Sequence, residues 1–392
     1  MHPPLDIVAD ANIPFAEAAF GRLGAVRRVP GRAITRDTLG GADVLLVRSV
    51  TPVDAALLAG TRVRFVGTAT AGTEHVDRAA LATRGVAFAS APGSNAASVV
   101  DYVLAALLAL AADRGEALAG KTLGVVGVGA VGGRLAPRAR ALGMAVLACD
   151  PPRQADGQSG EWHALGEVLD RADVVTLHTP LTTAIESPWP TLGLIDAAAA
   201  ARMRPGAWLV NAARGRVVTP DAALALARSR PVVLDTWPSE PEPTPALVEA
   251  AALATPHIAG YAADAKARGT AMLADALHRW LASDAAPWTV TDALGPGPPV
   301  DAPPADVAPT AWLDALARRV YDVRADDARF RATLAGTASD ARATAFAALR
   351  KDYPERRELA TATVRGAVPD ALATAVRDGL GVSEMRGQRP RR

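Results

Sequence analysis

Residues 121–150 read KTLGVVGVGAVGGRLAPRARALGMAVLACD, and the fold follows from this stretch. The apolar run Leu123 to Val128 reads as a buried strand. Gly127, Gly129 and Gly132 form GxGxxG, a helical stretch follows, and Val146 to Ala148 reads as a second strand ending at Cys149 and Asp150. The first glycine permits a tight turn, the second lets a pyrophosphate approach the backbone, and the third lets helix and strand pack. The N–H groups that open the helix then face the phosphates. Asp150, 18 residues after Gly132, sits where a carboxylate accepts hydrogen bonds from a ribose diol and repels a 2′-phosphate. The unit therefore predicts NAD rather than NADP. Pro137 lies inside the expected helix, where it deletes an N–H, and a local kink is expected there.

On the N-terminal side, short apolar runs alternate with helical stretches. Leu5 to Ala9, Val44 to Val47, Val63 to Val66 and Val86 to Ala89 read as strands; Phe15 to Leu23, Asp54 to Leu58 and Val76 to Thr83 read as helices. That rhythm predicts a first parallel α/β domain. Residues 95–112, NAASVVDYVLAALLALAA, read as a long helix, apolar nearly all round and expected between domains, with Asn95 as its cap. On the C-terminal side, a polar loop to Gly160 precedes a helix near Leu165 to Leu169. Three strands follow: Val174 to Leu177, ending in His178-Thr179-Pro180; Trp208 to Val210, ending in Asn211-Ala212-Ala213-Arg214-Gly215; and Val232 to Leu234, ending in Asp235-Thr236-Trp237. Ligands of open parallel sheets collect beyond the carboxyl ends of the strands, so these polar residues are expected in one cleft.

The predicted architecture is thus α/β, with two doubly wound parallel-sheet (Rossmann-like) domains and a smaller C-terminal domain. The substrate domain takes 1–96 and 262–287, the NAD-binding domain 97–261, a Pro- and Gly-rich linker 288–309, and the last domain 310–392, with helical pattern at Ala311 to Tyr321 and Ala341 to Leu349. An amphipathic helix over Asp264 to Ser283 leads the chain back to the first domain.

Composition sets the outer bounds. With 392 residues and 50% hydrophobic content, the chain is long enough for two or three cores. Lys plus Arg number 42 and Asp plus Glu 41, so no global field draws it to nucleic acid or to a membrane surface, and the tail Arg386 to Arg392 reads as a solvated end. The single cysteine, Cys149, excludes an internal disulfide and suits a reducing compartment, so a cytoplasmic location is expected. Its expected role is a small apolar residue rather than a nucleophile. The N-terminus MHPPLDIVAD lacks the pattern of a signal peptide, no uninterrupted apolar run of spanning length is found, and no metal site is expected.

An NAD site implies hydride transfer, which from an alcohol carbon requires a base for the hydroxyl proton and a cation for a neighbouring carboxylate. His257 is a side chain of the type that titrates near neutral pH, Glu240 can accept from its second ring nitrogen, and Arg214 can grip a carboxylate bidentately. His75 and His178 compete for the role of base. On pattern alone, Arg214 could equally close a surface ion pair and Glu240 could simply be solvated.

The stretches VGVGAVG, NAARGRVV, LDTWPSEP and TPHIAGY together resemble the NAD-dependent D-2-hydroxyacid dehydrogenase family. The resemblance implies that Arg214, Glu240 and His257 form the catalytic group. It narrows, through VRSVT (47–51), VGTATAGTEHVD (66–77), SAPGSNAASVVDYV (90–103) and the C-terminal LARRVYDVRADDARFR and LRKDYPERREL, to a branch that acts on a phosphorylated 2-hydroxy acid. In that branch the added C-terminal α+β domain makes a homodimer. Carried over residue by residue, the resemblance implies that Ser49, Thr70 and Tyr261 touch substrate. It likewise implies that Asp150, Thr179, Asp235 and Gly260 touch NAD beside Gly127, Gly129 and Gly132. Ser94, Ala130, Ala213 and the loop 182–190 depart from the family pattern. Two rivals stand beside this reading: a dehydrogenase of another D-2-hydroxy acid, such as 3-phosphoglycerate or glycerate, and an NAD-sensing binding protein that hardly turns over.

Overall fold

The computed structural model describes residues 3–283, 286 and 288–384; the arginine-rich tail falls outside the described residues. The chain divides into two compact units, one of residues 1–95 and 262–296, the other of 96–261 and 297–392.

The first unit is built on a five-stranded parallel sheet of order β2-β1-β3-β4-β5, with β1 Leu5–Asp10, β2 Gly24–Val29, β3 Val44–Val47, β4 Phe65–Thr68 and β5 Ala87–Ser90. Its inner strands VLLV and FVGT are buried along their whole length, as a parallel sheet covered on both faces demands. β2, GAVRRV, was not expected from the sequence. As an edge strand it carries charged residues on its exposed positions, so it lacks the continuous apolar run of its neighbours. The helix Ala263–Trp280 returns to this unit and buries Leu273, Ala274 and Leu277 against Leu5, Ile7 and Phe20.

The second unit holds a six-stranded parallel sheet of order β11-β10-β9-β8-β6-β7, with β6 Thr122–Val126, β7 Ala145–Cys149, β8 Val174–Leu177, β9 Trp208–Asn211, β10 Val232–Leu234 and β11 Leu253–Ala254. The order reverses at β6, which has β7 on one side and β8 on the other; the crevice outside their carboxyl ends is where such sheets take ligands. The helix Gly132–Ala141 runs on through Pro137, so the proline does not end it. The segment after Asp150, expected as a polar loop, opens instead with the helix Pro151–Ala155, whose first turn Asp150 caps by accepting from Arg153 N–H at 3.1 Å. Two prolines at the start of a helix are tolerated because the first N–H groups have no helical partner in any case.

The helix Ala96–Asp113 is long and apolar enough to cross a membrane, yet it packs in the core of the second unit. It lies against Trp312, Leu313, Leu316 and Tyr321 from the C-terminal segment. Arg324 closes its far end, donating to the carbonyl of Ala109 at 2.9 Å and pairing with Asp113 at 2.7 Å. The C-terminal segment adds the helices Pro309–Arg318, Val323–Ala335 and Arg342–Lys351, and a three-stranded parallel sheet of β12 Pro299–Asp301, β13 Thr363–Arg365 and β14 Ser383–Glu384. β12 lies inside the stretch expected as a linker. It is an edge strand, where a proline costs no ladder bond, so its composition disguised it.

Candidate active site

β6 ends at Val126, and the glycine-rich turn follows. A Cβ on Gly127, whose φ is +88°, would meet the backbone of His178 at 2.7 Å, and one on Gly132 would lie 2.1 Å from the carbonyl oxygen of Gly127. Both positions are closed to any side chain. At Gly129 a Cβ would meet nothing within 4 Å, so the absent side chain leaves open space beside the turn, which suits a phosphate against the backbone. This space continues into a cavity of about 370 Å³ lined by Gly127, Gly129, Asp150, Pro151, Leu165 and Thr179, among others. Asp150 accepts from Val128 N–H at 2.7 Å and from Arg153 N–H, one bond to each carboxylate oxygen, which leaves each oxygen a lone pair for a ribose diol. Thr179 Oγ1 is buried without a hydrogen-bond partner on the cavity wall, an orphan of the kind a ligand satisfies. These residues fit a dinucleotide. Cys149, also on the wall, is buried, and burial, with Asp150 beside it, pushes its thiol up to about 11, so it stands as a neutral apolar group.

The departing loop 182–190 forms part of this cavity. Its neck is closed by Thr191, whose hydroxyl donates to the Pro180 carbonyl at 2.6 Å and accepts from Thr182 N–H at 2.8 Å. Its tip is closed by Glu186, which accepts from the N–H and hydroxyl of Thr183, both at 2.8 Å. The loop is thereby stiffened, and presents Pro188, Trp189 and Pro190 to the cavity.

Arg214, Glu240 and His257 also lie in the second unit, beyond β9, β10 and β11. Asn211, the last residue of β9, shapes the first turn: its amide oxygen accepts from Ala213 N–H at 3.1 Å and its amide nitrogen donates to the Arg214 carbonyl at 3.0 Å. Arg214 Nη1 donates to the Ala213 carbonyl at 2.9 Å. The next residue, Gly215, presses on the turn after β10, and a Cβ there would lie 1.9 Å from the carbonyl oxygen of Trp237. That turn is closed by Glu240 Oε1, which accepts from Trp237 N–H at 2.8 Å, while Oε2 lies 2.8 Å from His257 Nδ1. Burial opposes the Glu240 charge, but His257, Trp237 N–H and Arg350 outweigh it and hold the carboxyl below its ordinary value. The structure therefore joins the arginine turn to the glutamate turn, and the glutamate to the histidine.

His257 adopts φ +58°, the left-handed region that costs a non-glycine residue about 1–2 kcal/mol. The cost is met by the loop it opens. Asp235, 1% exposed, accepts from Ile258 N–H at 2.7 Å, Ala259 N–H at 2.9 Å and the Thr255 hydroxyl at 2.8 Å. Thr255 Oγ1 spends its single proton on Asp235, so the Tyr102 hydroxyl, 2.7 Å away, donates to it. Asp235, implied by resemblance to touch NAD, thus has both oxygens engaged beneath the 255–259 loop. Its burial raises its pKa against the pull of His257 and these donors. Gly260 and Tyr261 follow on the same loop, each half-buried.

The competing histidines have other partners. His178 Nε2 lies 2.9 Å from Thr176 Oγ1; although the residue as a whole is half-buried, burial of its ring pushes the imidazole down to about 3. His75 Nε2 lies 2.9 Å from Thr68 Oγ1 in the first unit, where burial lowers its pKa against the opposing effect of Glu74. Ser49 is exposed on the turn after β3. Thr70, after β4, donates to the Gly72 carbonyl at 2.9 Å. Sequence reasoning missed Gly215, whose signal was its place directly after Arg214. It also missed Arg350, whose guanidinium lies 5.6 Å over the Tyr261 ring and whose Nε is buried without a partner. No group of metal-ligating side chains occurs among the described residues.

Comparison with known proteins places these features in a context. Residues 101–259 match the family described as D-isomer specific 2-hydroxyacid dehydrogenase, NAD binding domain, and residues 305–379 match a domain of unknown function. The erythronate-4-phosphate dehydrogenase of Salinibacter ruber is 54% identical over 389 residues, covering 96% of this chain and 98% of that protein. That of Pseudomonas paraeruginosa is 49% identical, covering 90% and 93%. Among solved structures, D-lactate dehydrogenase from Aquifex aeolicus, complexed with NAD and lactic acid, shares the fold with a TM-score of 0.57 at 23% identity, over 71% of this chain and 95% of that one.

Proposed function

The chain belongs to the erythronate-4-phosphate dehydrogenases, within the D-isomer-specific 2-hydroxyacid dehydrogenase family, and from that premise we propose that it oxidises 4-phospho-D-erythronate to (R)-3-hydroxy-2-oxo-4-phosphooxybutanoate with NAD. This is a step toward vitamin B6. The observation that carries the reading is identity of about half the residues over nearly the whole length, joined to a Glu240–His257 pair at 2.8 Å.

Chemically, two particles leave the substrate C2 centre: a hydride from carbon and a proton from oxygen. NAD, when bound, supplies the hydride acceptor; Gly127, Gly129, Gly132, Asp150 and Thr179 would hold it, with Asp235 shaping the loop nearby. His257 removes the proton. Its Nδ1 faces Glu240, so Nε2 is the nitrogen that takes the hydroxyl proton, and the Glu240 carboxylate stabilises the imidazolium that results. Arg214 grips the substrate carboxylate and draws charge from the developing carbonyl. The carry-over also assigns Ser49, Thr70 and Tyr261 to the substrate. Arg350, over the Tyr261 ring, offers a cation for its phosphate. We further propose a cytoplasmic homodimer formed through 310–392, with no role in binding nucleic acid or membranes.

The test is an NADH absorbance assay of the purified protein with 4-phospho-D-erythronate, 3-phosphoglycerate and glycerate. Sustained turnover selective for the first is expected. Preference for either of the others would move the assignment within the family, and the absence of turnover on all three would leave only a nucleotide-binding protein.

A further inference from the structure

The C-terminal segment, which matches a domain of unknown function, reaches the carbonyl side of the His257 loop. Arg356 is buried at 7% exposure, and its Nη2 donates to the carbonyl of Ala259 at 2.6 Å, to that of Ile258 at 3.4 Å and to Ser98 Oγ at 3.0 Å. Ser98 in turn donates to the same Ala259 carbonyl at 2.8 Å. The guanidinium lies 3.9 Å over the ring of Tyr321. The hydroxyls of Tyr321 and Tyr353 both donate to Asp326, at 3.0 and 2.6 Å, and Arg329 pairs with the same carboxylate at 2.7 Å. Tyr353 meets Tyr261 edge to face, with centroids 5.8 Å apart.

The loop is therefore gripped from two sides by opposite charges. Asp235, from the end of β10, holds the N–H groups of residues 258 and 259. Arg356, from the C-terminal segment, holds the carbonyl groups of the same two residues. The peptide plane between Ile258 and Ala259 is fixed at both ends, at the Ala259 N–H and the Ile258 carbonyl, and the planes before and after it are each held once, so the segment directly after a residue in a left-handed conformation cannot relax. A buried cation is an expensive way to fill space, and an apolar side chain would serve packing alone at lower cost.

We propose that the C-terminal segment of each chain completes the active-site scaffold of that same chain, with Arg356 as the positioning residue that fixes the His257 loop. The proposal rests on the reading of His257 as the base. It gives the segment a role separate from subunit association.

The experiment compares full-length Arg356→Lys and Ser98→Ala with the parent protein. Lysine keeps a positive charge but loses the planar guanidinium that stacks on the Tyr321 ring; alanine at 98 removes one donor to the Ala259 carbonyl and leaves the helix intact. For Arg356→Lys, kcat is expected to fall roughly tenfold or more, with the acidic limb of its pH profile displaced. Ser98→Ala is expected to show the same signature to a smaller degree. NAD affinity by calorimetry should stay within about twofold, because the glycine-rich turn is untouched. A second readout needs no turnover: the downfield proton resonance of His257 Nδ1–H, assigned by its loss in His257→Asn, should broaden in both variants. Unchanged kcat, pH profile and resonance in Ser98→Ala would overturn the proposal, as would an Arg356→Lys protein that only melts earlier. A parent protein that retains the resonance but turns over no 2-hydroxy acid would instead overturn the functional reading.

Discussion

Replacing Gly215 with alanine tests whether the arginine turn and the glutamate turn act as one piece. A Cβ there would sit 1.9 Å from the Trp237 carbonyl oxygen, 2.0 Å from its carbon and 2.7 Å from Pro238 N, all backbone atoms that cannot swing aside. Ordinary contact begins near 3.4 Å, so the two turns must separate by ~1.5 Å, and overpacking of this kind costs about 1–3 kcal/mol of stability. The separation moves Arg214 away from the Glu240–His257 pair, and a misplacement on the order of 1 Å costs about 100-fold in rate. We expect Gly215→Ala to lose about two orders of magnitude in kcat in the NADH absorbance assay at a temperature well below its melting point. Its affinity for NAD should remain near that of the parent, since Gly127 to Gly132 and Asp150 belong to other turns. A kcat within threefold of the parent, in a protein shown by circular dichroism to be folded, would refute the coupling of the two turns.

Three further outcomes are expected. In Glu240→Gln, either the carboxamide nitrogen faces His257 Nδ1 and forces the ring proton onto Nε2, or the amide loses its bond to Trp237 N–H. Turnover should drop by about 10²–10⁴ with NAD affinity retained, and a near-normal rate would remove Glu240 from the mechanism. Trp189→Ala should weaken both NAD and AMP in calorimetry by about fivefold, from the lost aromatic surface of the loop 182–190; equal affinities would show that the loop does not touch the nucleotide. The third concerns stability and pH. His178 stays neutral in the fold down to about 3, whereas the unfolded chain takes up that proton near 6.5. Between those values the unfolded state binds more protons, so stability falls as pH falls, by up to ~1.4 kcal/mol per pH unit for this one group. His178→Gln should therefore show a shallower loss of stability from pH 6 to pH 4 in urea titrations, and an identical slope would contradict the buried, neutral imidazole.

The parts of the fold legible in sequence are those where one physical demand acts alone. Buried parallel strands such as Val44–Val47 and Val232–Leu234 must be apolar throughout, and their boundaries follow from that. The glycines of the dinucleotide turn are forced by contacts under 3 Å at Gly127 and Gly132, and by open space at Gly129. Where two demands compete, pattern fails. β2 and β12 are edge strands whose charges and prolines suppress pairing with other chains, so they look like loops. The helix after Asp150 starts with two prolines and reads as a turn. At the candidate active site, the types and order of Arg214, Glu240 and His257 were visible. The supports were not, because Asp235, Ser98 and Arg356 act through backbone groups up to 161 residues away, and no local spacing records such a contact.

The Arg356 bond to the Ala259 carbonyl also has a temporal meaning. Synthesis proceeds from the N-terminus, and domains fold as they emerge. A ribosome that has released the chain through β11 has delivered the glycine turn, Asp150 and all six strands of the nucleotide sheet, while the arginine that braces the histidine loop is still about a hundred residues from being made. A nascent chain can thus acquire the shape that holds a dinucleotide well before it has the means to use one, and competence arrives only once Arg356 has been made and has docked on the loop.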